Sequence, residues 1–188
     1  MAELEDVLLA RWSPTSWDPG HVLEQEVVDH LVEAARWSPS AGNSQPWSFV
    51  TAHRGDPTHA RLVPLLSAGS RRWAPQASLL VVNLCHRYVE DTDWDYSEFA
   101  EYDLGQSVAH MTIQAQALGL HARQFRGFDR AAVQDALDLP RHWVAMTMTA
   151  FGRPAAGSTP GDRERRPHHD LVWPPPPPSA DLGANPAR

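Results

Sequence analysis

One short stretch, P-S-A-G-N-S-Q-P at positions 39–46, combines small polar side chains with prolines. It lies between an amphipathic segment and an apolar one, and it includes Pro39, Ser40 and Asn43. Hydroxyl and amide groups on a backbone restrained by proline can form directed hydrogen bonds to a planar, heteroatom-rich ligand. The same composition is also typical of a simple helix-to-strand connection, so both interpretations stay open from this stretch alone.

A second set of candidate residues is basic and lies near the two ends of the chain. Arg11 and Ser13 belong to an R-W-S segment, and Arg163 and Arg165 belong to R-E-R-R-P. All sixteen basic residues are arginines, and guanidinium groups bind phosphate oxygens in a bidentate manner. If the fold brings these segments together, they form a site for a compact dianion such as a phosphate monoester. Each arginine alone is equally consistent with a surface residue or an ion-pair partner.

Several other kinds of site have no motif in the sequence. The chain contains no G-x-G-x-x-G or Walker phosphate loop and no G-x-S-x-G nucleophile turn. His168 and His169 are adjacent and are not surrounded by further ligands at metal-binding spacing. No motif pairs two carboxylates for hydrolysis. We therefore predict no metal site and assign no catalytic side chain.

Length and composition favour one domain over residues 1–173, followed by a proline-rich, disordered tail at 174–188. The net charge of −7 disfavours nucleic acid as a partner. A single cysteine, Cys85, excludes an internal disulfide and fits a cytoplasmic location. We expect neither a signal peptide nor a membrane span, because the apolar runs are too short.

Hydrophobic periodicity predicts alternating helices and strands. Helices are expected over 4–9, 24–37, 57–67 and 104–118, the last one capped by Gly119, and around Val133. Strands are expected over 47–52, 77–84, 121–125 and 143–151, with Val144, Met146 and Met148 on one face of the last strand. The segment 88–103 alternates acids with aromatic residues, which is consistent with a cover over a site or with a solvated face.

Taken together, these motifs resemble the FMN-dependent nitroreductase family. Members share an R-x-S segment near the start, a P-S-x-x-N-x-Q-P-W loop after the second helix, and a basic segment before a proline near the end. The resemblance extends to about Trp173. It implies an α+β fold in which helices flank a central, mostly antiparallel sheet. It also implies a homodimer that exchanges its C-terminal segments, with Leu171–Trp173 as a strand on the partner's sheet.

The same resemblance assigns the cofactor, FMN, to particular residues of this chain. Arg11, Ser13, Arg163 and Arg165 would hold the phosphate, alongside the backbone of Trp12. The backbone of Gly127 would approach flavin N5, next to Arg126. Residues Pro39, Ser40 and Asn43 would come from the other subunit.

Two positions depart from the family pattern. Thr15 stands where members commonly have lysine or arginine facing the flavin, and Ser70 stands where an asparagine often contacts the pyrimidine edge. A hydroxyl donates a hydrogen bond but cannot neutralise the charge of a reduced flavin. Either Arg36 or Arg126 compensates, or the flavin is harder to reduce.

The resemblance implies an oxidoreductase in which NADH or NADPH reduces FMN and a small acceptor, such as a nitroaromatic, quinone or enone, then reoxidises it. On this hypothesis Trp94, Tyr96 or Phe99 would stack on the acceptor. The alternative is a flavin-binding or sequestering protein with little turnover. A third interpretation is an interaction protein that uses the polyproline tail.

Overall fold

The computed structural model describes residues 3–174, and its central feature is a sheet of four strands. The strands lie in the order β1-β2-β4-β3, and every neighbouring pair is antiparallel. Their bounds are β1 (Trp47–His53), β2 (Leu79–His86), β3 (His121–Phe125) and β4 (Trp143–Gly152). The apolar β2 is central and buried over nearly its whole length, as the continuous apolar run predicts. It begins two residues later than predicted because a 3-10 turn, Ala74–Gln76, precedes it.

Helices cover both faces of this sheet. They are α1 (Asp6–Ala10), α2 (Gln25–Arg36), α3 (Pro57–Leu62), α4 (Ala68–Arg71), α5 (Ala100–Ala117) and α6 (Arg130–Ala136). The α2 and α5 helices pack on the face that carries Leu79 and Val81, whereas α3 and α6 pack on the face of Leu80 and Val82. The predicted α+β class, with helices flanking an antiparallel sheet, is therefore confirmed. Within residues 3–174, no helix is both long and apolar enough to cross a membrane.

The long helix α5 follows its predicted pattern with one exception. Leu104, Val108, Met111 and Ala115 are all buried, as the four- and three-residue spacing predicts. Leu118, which was expected on the same face, is 39% exposed because the helix has already ended. After Ala117 the chain turns through Gly119 at φ +72°, and Leu120 N–H donates to the Ala115 carbonyl.

A β-bulge breaks the alternation predicted for β4. Asn83 pairs with Thr147, but the next residue of β2 pairs with Ala145, so Met146 is an extra residue on β4. Met148 therefore packs in the core on the α6 side, and Met146 packs on the α5 side. The prediction that Met146 and Met148 share a face is wrong, because an inserted residue reverses the two-residue period.

The C-terminal part of the described chain has no strand of its own. A 3-10 helix, His168–Leu171, stands where the sequence predicts the approach to an exchanged strand. Leu171 and Val172 are each 60% exposed, and Trp173 is 92% exposed. The predicted disordered tail lies outside the described residues except for Pro174.

The single thiol, Cys85, is fully buried at the end of β2. Burial raises the pKa of this thiol to about 11, so almost no reactive thiolate forms near neutral pH. We expect the native protein to release no chromophore with a disulfide reagent such as DTNB at pH 8. In denaturant the same sample should titrate as one thiol per chain, and fast reaction of the native protein would contradict this burial.

Candidate functional site

A cavity of about 240 Å³ lies between the segment after α1 and the extended chain before the last 3-10 helix. We call it the arginine cavity, and its lining consists of Arg11, Trp12, Ser13, Pro160, Gly161, Asp162, Arg163 and Arg165. Arg163 Nη1 donates to the Arg11 carbonyl oxygen at 2.7 Å, and Arg11 Nη1 lies 3.4 Å from Ser13 Oγ. The structure thus brings together the two basic segments that lie at opposite ends of the sequence.

The charge of the arginine cavity is strongly positive. Three guanidinium groups line it, and the only carboxylate in its lining is that of Asp162. Arg165 Nη1 donates to the neighbouring Glu164 carbonyl oxygen, and each guanidinium keeps further N–H donors. Arg11 is half-buried, whereas Arg163 and Arg165 are exposed, so the cavity of one chain is open to solvent. Its composition suits a phosphate dianion.

Two residues of β3 lie against the R-W-S segment, and neither was identified from the sequence. Arg123 Nη1 donates to the Ser13 carbonyl oxygen at 2.8 Å. The His121 ring packs edge-on against Trp12, with ring centres 5.3 Å apart. Burial and the nearby charge of Arg11 lower the pKa of His121, which favours its neutral form. The only sequence signal was their shared face on β3, two residues apart.

A second cluster joins Ser67, Ser70 and Gly127. Ser67 N–H donates to the Gly127 carbonyl oxygen at 2.9 Å. A Cβ atom on Gly127 would lie 2.2 Å from Ser70 Oγ and 2.7 Å from Ser67 Oγ. A Cβ atom at this position would therefore force both serine hydroxyls to move. The structure brings the predicted pair Ser70 and Gly127 into contact and adds Ser67, which caps α4 by accepting from Ser70 N–H.

The two arginines considered as substitutes for a cation at Thr15 are both engaged elsewhere in the chain. Arg36 pairs with Glu33 at 2.6 Å on the exposed face of α2. Arg126 Nη1 donates to the Phe128 carbonyl oxygen at 3.0 Å, and its guanidinium lies over the Phe128 ring. Thr15 itself is exposed and is not part of the arginine cavity. Within one chain, each of these two guanidinium groups therefore already has a partner other than Thr15.

The polar loop at 39–46 is held in a defined shape at the start of α5. Ala41 N–H donates to Asp103 Oδ2 at 3.0 Å, and Ser40 Oγ accepts from Gln45 N–H at 3.0 Å. Asn43 adopts a left-handed conformation, at φ +55°. Pro39 and Asn43 are exposed, Ser40 is half-buried, and none of them lines the arginine cavity. The polar groups of these three residues are therefore not part of the cavity of their own chain.

The buried carboxylate of Asp103 is what fixes this loop to α5. It is 2% exposed and accepts from Ala41 N–H and from the Gln106 side chain. We expect Asp103→Ala to lower the free energy of unfolding by about 1.5 kcal/mol, because a charge-assisted hydrogen bond is lost and an amide loses its partner. Urea unfolding checks this, with the exposed Glu98→Ala as the control. Equal midpoints for the two variants would contradict the anchor.

The acidic and aromatic segment contacts the loop through Tyr96 as well as through Asp103. Tyr96 Oη donates to the Ser44 carbonyl oxygen at 3.2 Å, and its ring stacks on His86 with centres 3.8 Å apart. Trp94 and Phe99 are 76% and 48% exposed. Of the three predicted stacking residues, Tyr96 is thus already engaged within its own chain, and the other two present free faces.

A larger cavity, of about 510 Å³, lies apart from both clusters. It is lined by residues of β4 and α6 together with Arg87, Tyr88 and Glu101, and it contains none of the residues predicted to bind the cofactor. Arg87 is within 3.4 Å of Asp95 and 3.5 Å of Glu101, so its charge is already balanced. The chemistry of the arginine cavity makes it the stronger candidate site.

The fold and the two clusters define an α+β protein with a cationic cavity built from both ends of its chain. Comparison with known proteins then shows which proteins the chain is similar to. The Nitroreductase family model matches residues 8–68, which include the R-W-S segment and the polar loop. A candidate NADH dehydrogenase/NAD(P)H nitroreductase of Streptomyces coelicolor is 28% identical over 173 residues, covering 80% of this chain and 84% of that protein.

Solved structures agree with this match. An oxidoreductase containing FMN superposes with a TM-score of 0.82 at 27% identity, covering 92% of this chain and 91% of the other. A candidate nitroreductase of Desulfovibrio desulfuricans in complex with FMN gives a TM-score of 0.75 at 26% identity, covering 94% and 100%. The chain is thus similar to nitroreductase-family proteins in the sequence of residues 8–68 and in its fold.

Proposed function

We propose that this chain is an FMN-dependent oxidoreductase whose arginine cavity holds the phosphate of the cofactor. The observation that carries the proposal is the convergence of Arg11, Ser13, Arg163 and Arg165 on one cavity. These residues fit a phosphate monoester, because they offer several guanidinium donors and a hydroxyl against a single carboxylate. Known structures of similar proteins contain FMN, which supports the same assignment.

The cluster of Ser70 and Gly127 would hold the polar edge of the flavin ring. Because Gly127 has no Cβ, its backbone can lie close to Ser70. A Cβ atom at position 127 would collide with the Ser70 hydroxyl. When bound, FMN supplies the chemistry, accepting a hydride from a nicotinamide donor and passing it on. The protein supplies binding, orientation and electrostatics, so no side chain is assigned as an acid or base.

We further propose that the complete site forms in a homodimer. Pro39, Ser40 and Asn43 lie outside their own chain's cavity, which supports a role for them in the partner's site. The exposed segment Leu171–Trp173 would cross to the partner and pair with its sheet. A 92% exposed tryptophan is unusual on an isolated surface and supports such burial.

The proposed reaction uses NADH or NADPH as donor and a small electron acceptor such as a nitroaromatic, quinone or enone. Donor and acceptor would occupy the same cleft in turn, a ping-pong scheme. The name of the Streptomyces coelicolor relative supports a nicotinamide donor. The exposed rings of Trp94 and Phe99 are the residues we assign to stacking with the acceptor. The single domain over residues 1–173 and the cytoplasmic location stay predictions.

The test begins with the purified protein and the identity of any chromophore released on denaturation. The flavin complex is then mixed with NADH or NADPH under anaerobic conditions. Loss of the absorbance near 450 nm, followed by its return with a quinone or nitroaromatic, is the expected result. A protein that binds no FMN after reconstitution would overturn the proposal.

A second function, a flavin-binding protein with little turnover, is favoured by one observation. Thr15 carries no charge, and the two arginines considered as substitutes, Arg36 and Arg126, already have partners within their own chain. Without such a charge the reduced flavin is stabilised less. A bound flavin that stays oxidised with both nicotinamide donors would support this function over the reductase.

A further inference from the structure

We propose that Arg123 is a positioning residue of the flavin site, which couples the phosphate-binding segment to the ring-binding cluster. The inference rests on the proposed function. Arg123 does not line the arginine cavity, and its role is to hold the residues that do.

The first contact of Arg123 fixes the R-W-S segment. Its Nη1 donates to the Ser13 carbonyl oxygen at 2.8 Å across 110 residues of sequence. Ser13 directly follows Trp12, and its side-chain hydroxyl lies 3.4 Å from Arg11 Nη1. A charge-assisted hydrogen bond at this point restrains the backbone from which Arg11 and Ser13 extend.

The second contact of Arg123 leads toward the other cluster. Its guanidinium carbon lies 5.0 Å from the centre of the Trp73 ring, and Trp73 packs edge-on against Phe125 at 4.9 Å. Trp73 N–H donates to the Ser70 carbonyl oxygen at 3.1 Å, and Phe125 lies two residues before Gly127. The Arg123 side chain therefore spans the space between Ser13 and the residues that support Ser70 and Gly127.

Besides positioning the R-W-S segment, Arg123 can attract an anionic ligand through its positive charge. Arg123 Nε is buried and has no hydrogen-bond partner among residues 3–174. Arg123 forms no ion pair with a carboxylate in this part of the chain. Its neighbours toward the cavity are Ser13 and His121, which lies on the same face of β3 and whose lowered pKa favours the neutral form. Its positive charge is thus left unbalanced beside the arginine cavity. An electrostatic contribution of this kind acts on the phosphate and not on the uncharged parts of a flavin.

The test compares Arg123→Met and Arg123→Lys with wild type in the full-length protein. Methionine keeps an unbranched side chain against Trp73 but removes the charge and the donor. Dissociation constants for FMN and for riboflavin, which lacks the phosphate, are measured by quenching of flavin fluorescence. We expect Arg123→Met to weaken FMN binding about 10-fold with less than about a 3-fold change for riboflavin, and Arg123→Lys to recover part of the FMN loss.

The matched control is Arg72→Met, an exposed arginine next to Trp73. It should leave both constants unchanged, and thermal unfolding of every variant reports whether the fold is intact. If Arg123→Met weakens the binding of FMN and riboflavin equally, Arg123 acts only by packing on Trp73. If FMN binding is unchanged, Arg123 is not a positioning residue of the site. Wild-type protein that binds neither flavin would instead overturn the proposed function.

Discussion

Arg11→Ala is expected to weaken FMN binding by about 2 to 3 kcal/mol, or about 30- to 150-fold in Kd. Arg11 is the half-buried guanidinium of the arginine cavity, whereas Arg163 and Arg165 are exposed to solvent in the single chain. Charge-assisted bonds in a less hydrated position are the stronger ones, so Arg11 should matter most of the three. Its loss also removes the side chain nearest to Ser13 Oγ.

The measurement for Arg11→Ala is a titration with FMN and, separately, with riboflavin. The charge effect should appear with FMN and be nearly absent with riboflavin, because only FMN carries the phosphate. Arg61→Ala is a suitable control, since Arg61 is an exposed arginine on α3, far from the cavity in sequence. An FMN affinity in Arg11→Ala equal to that of the control would show that the phosphate is bound elsewhere.

The second large effect is expected for Gly127→Ala, which should lower the free energy of unfolding by about 2 to 3 kcal/mol. The added methyl group would lie 2.2 Å from Ser70 Oγ, and Ser70 is buried. Ser67 Oγ would also lie at 2.7 Å, so both hydroxyls must rotate or the backbone must shift. The same shift would displace the cluster that we assign to the flavin ring.

A double-mutant cycle separates this collision from other causes. In Gly127→Ala/Ser70→Ala, the hydroxyl nearest to the new methyl group is absent, and the remaining Ser70 Cβ lies at an ordinary 3.4 Å. Most of the lost stability should return, giving a favourable coupling energy between the two sites. Strictly additive losses in chemical denaturation would show that the close approach is not the cause. Gly105→Ala, at a glycine of α5 with open space around it, is the matched control.

The amino-acid sequence by itself determined most of the secondary structure, because each element carries its own local signal. The apolar run of β2, the amphipathic spacing of α2 and α5, and the left-handed turn at Gly119 each depend on neighbours within a few residues. The R-W-S segment, the polar loop and the terminal arginines were also recognisable, since their residue types restrict their chemistry. Together they carry the resemblance to the nitroreductase family, whose model matches residues 8–68.

Local patterns failed where an element depends on residues distant in the sequence. The face of Met146 was mispredicted because a bulge depends on how β4 pairs with β2, which no periodicity within β4 reveals. Tyr96 was one of three aromatic residues considered for stacking on an acceptor, and it stacks on His86 and donates to the Ser44 carbonyl oxygen within its own chain. Both outcomes depend on partners that only the folded chain brings near.

The tertiary structure alone decided how the site is assembled. Arg163 and Arg11 are 152 residues apart, and only the packed sheet and its flanking segments bring the guanidinium of one to the carbonyl of the other. Arg123 looked like one polar residue in a short strand, and Ser67 like the last residue of a helix. Their contacts with Ser13 and Gly127 make them part of the site. Residue type determines which ligand a side chain can bind, and the long-range contacts of the fold determine which side chains bind it together.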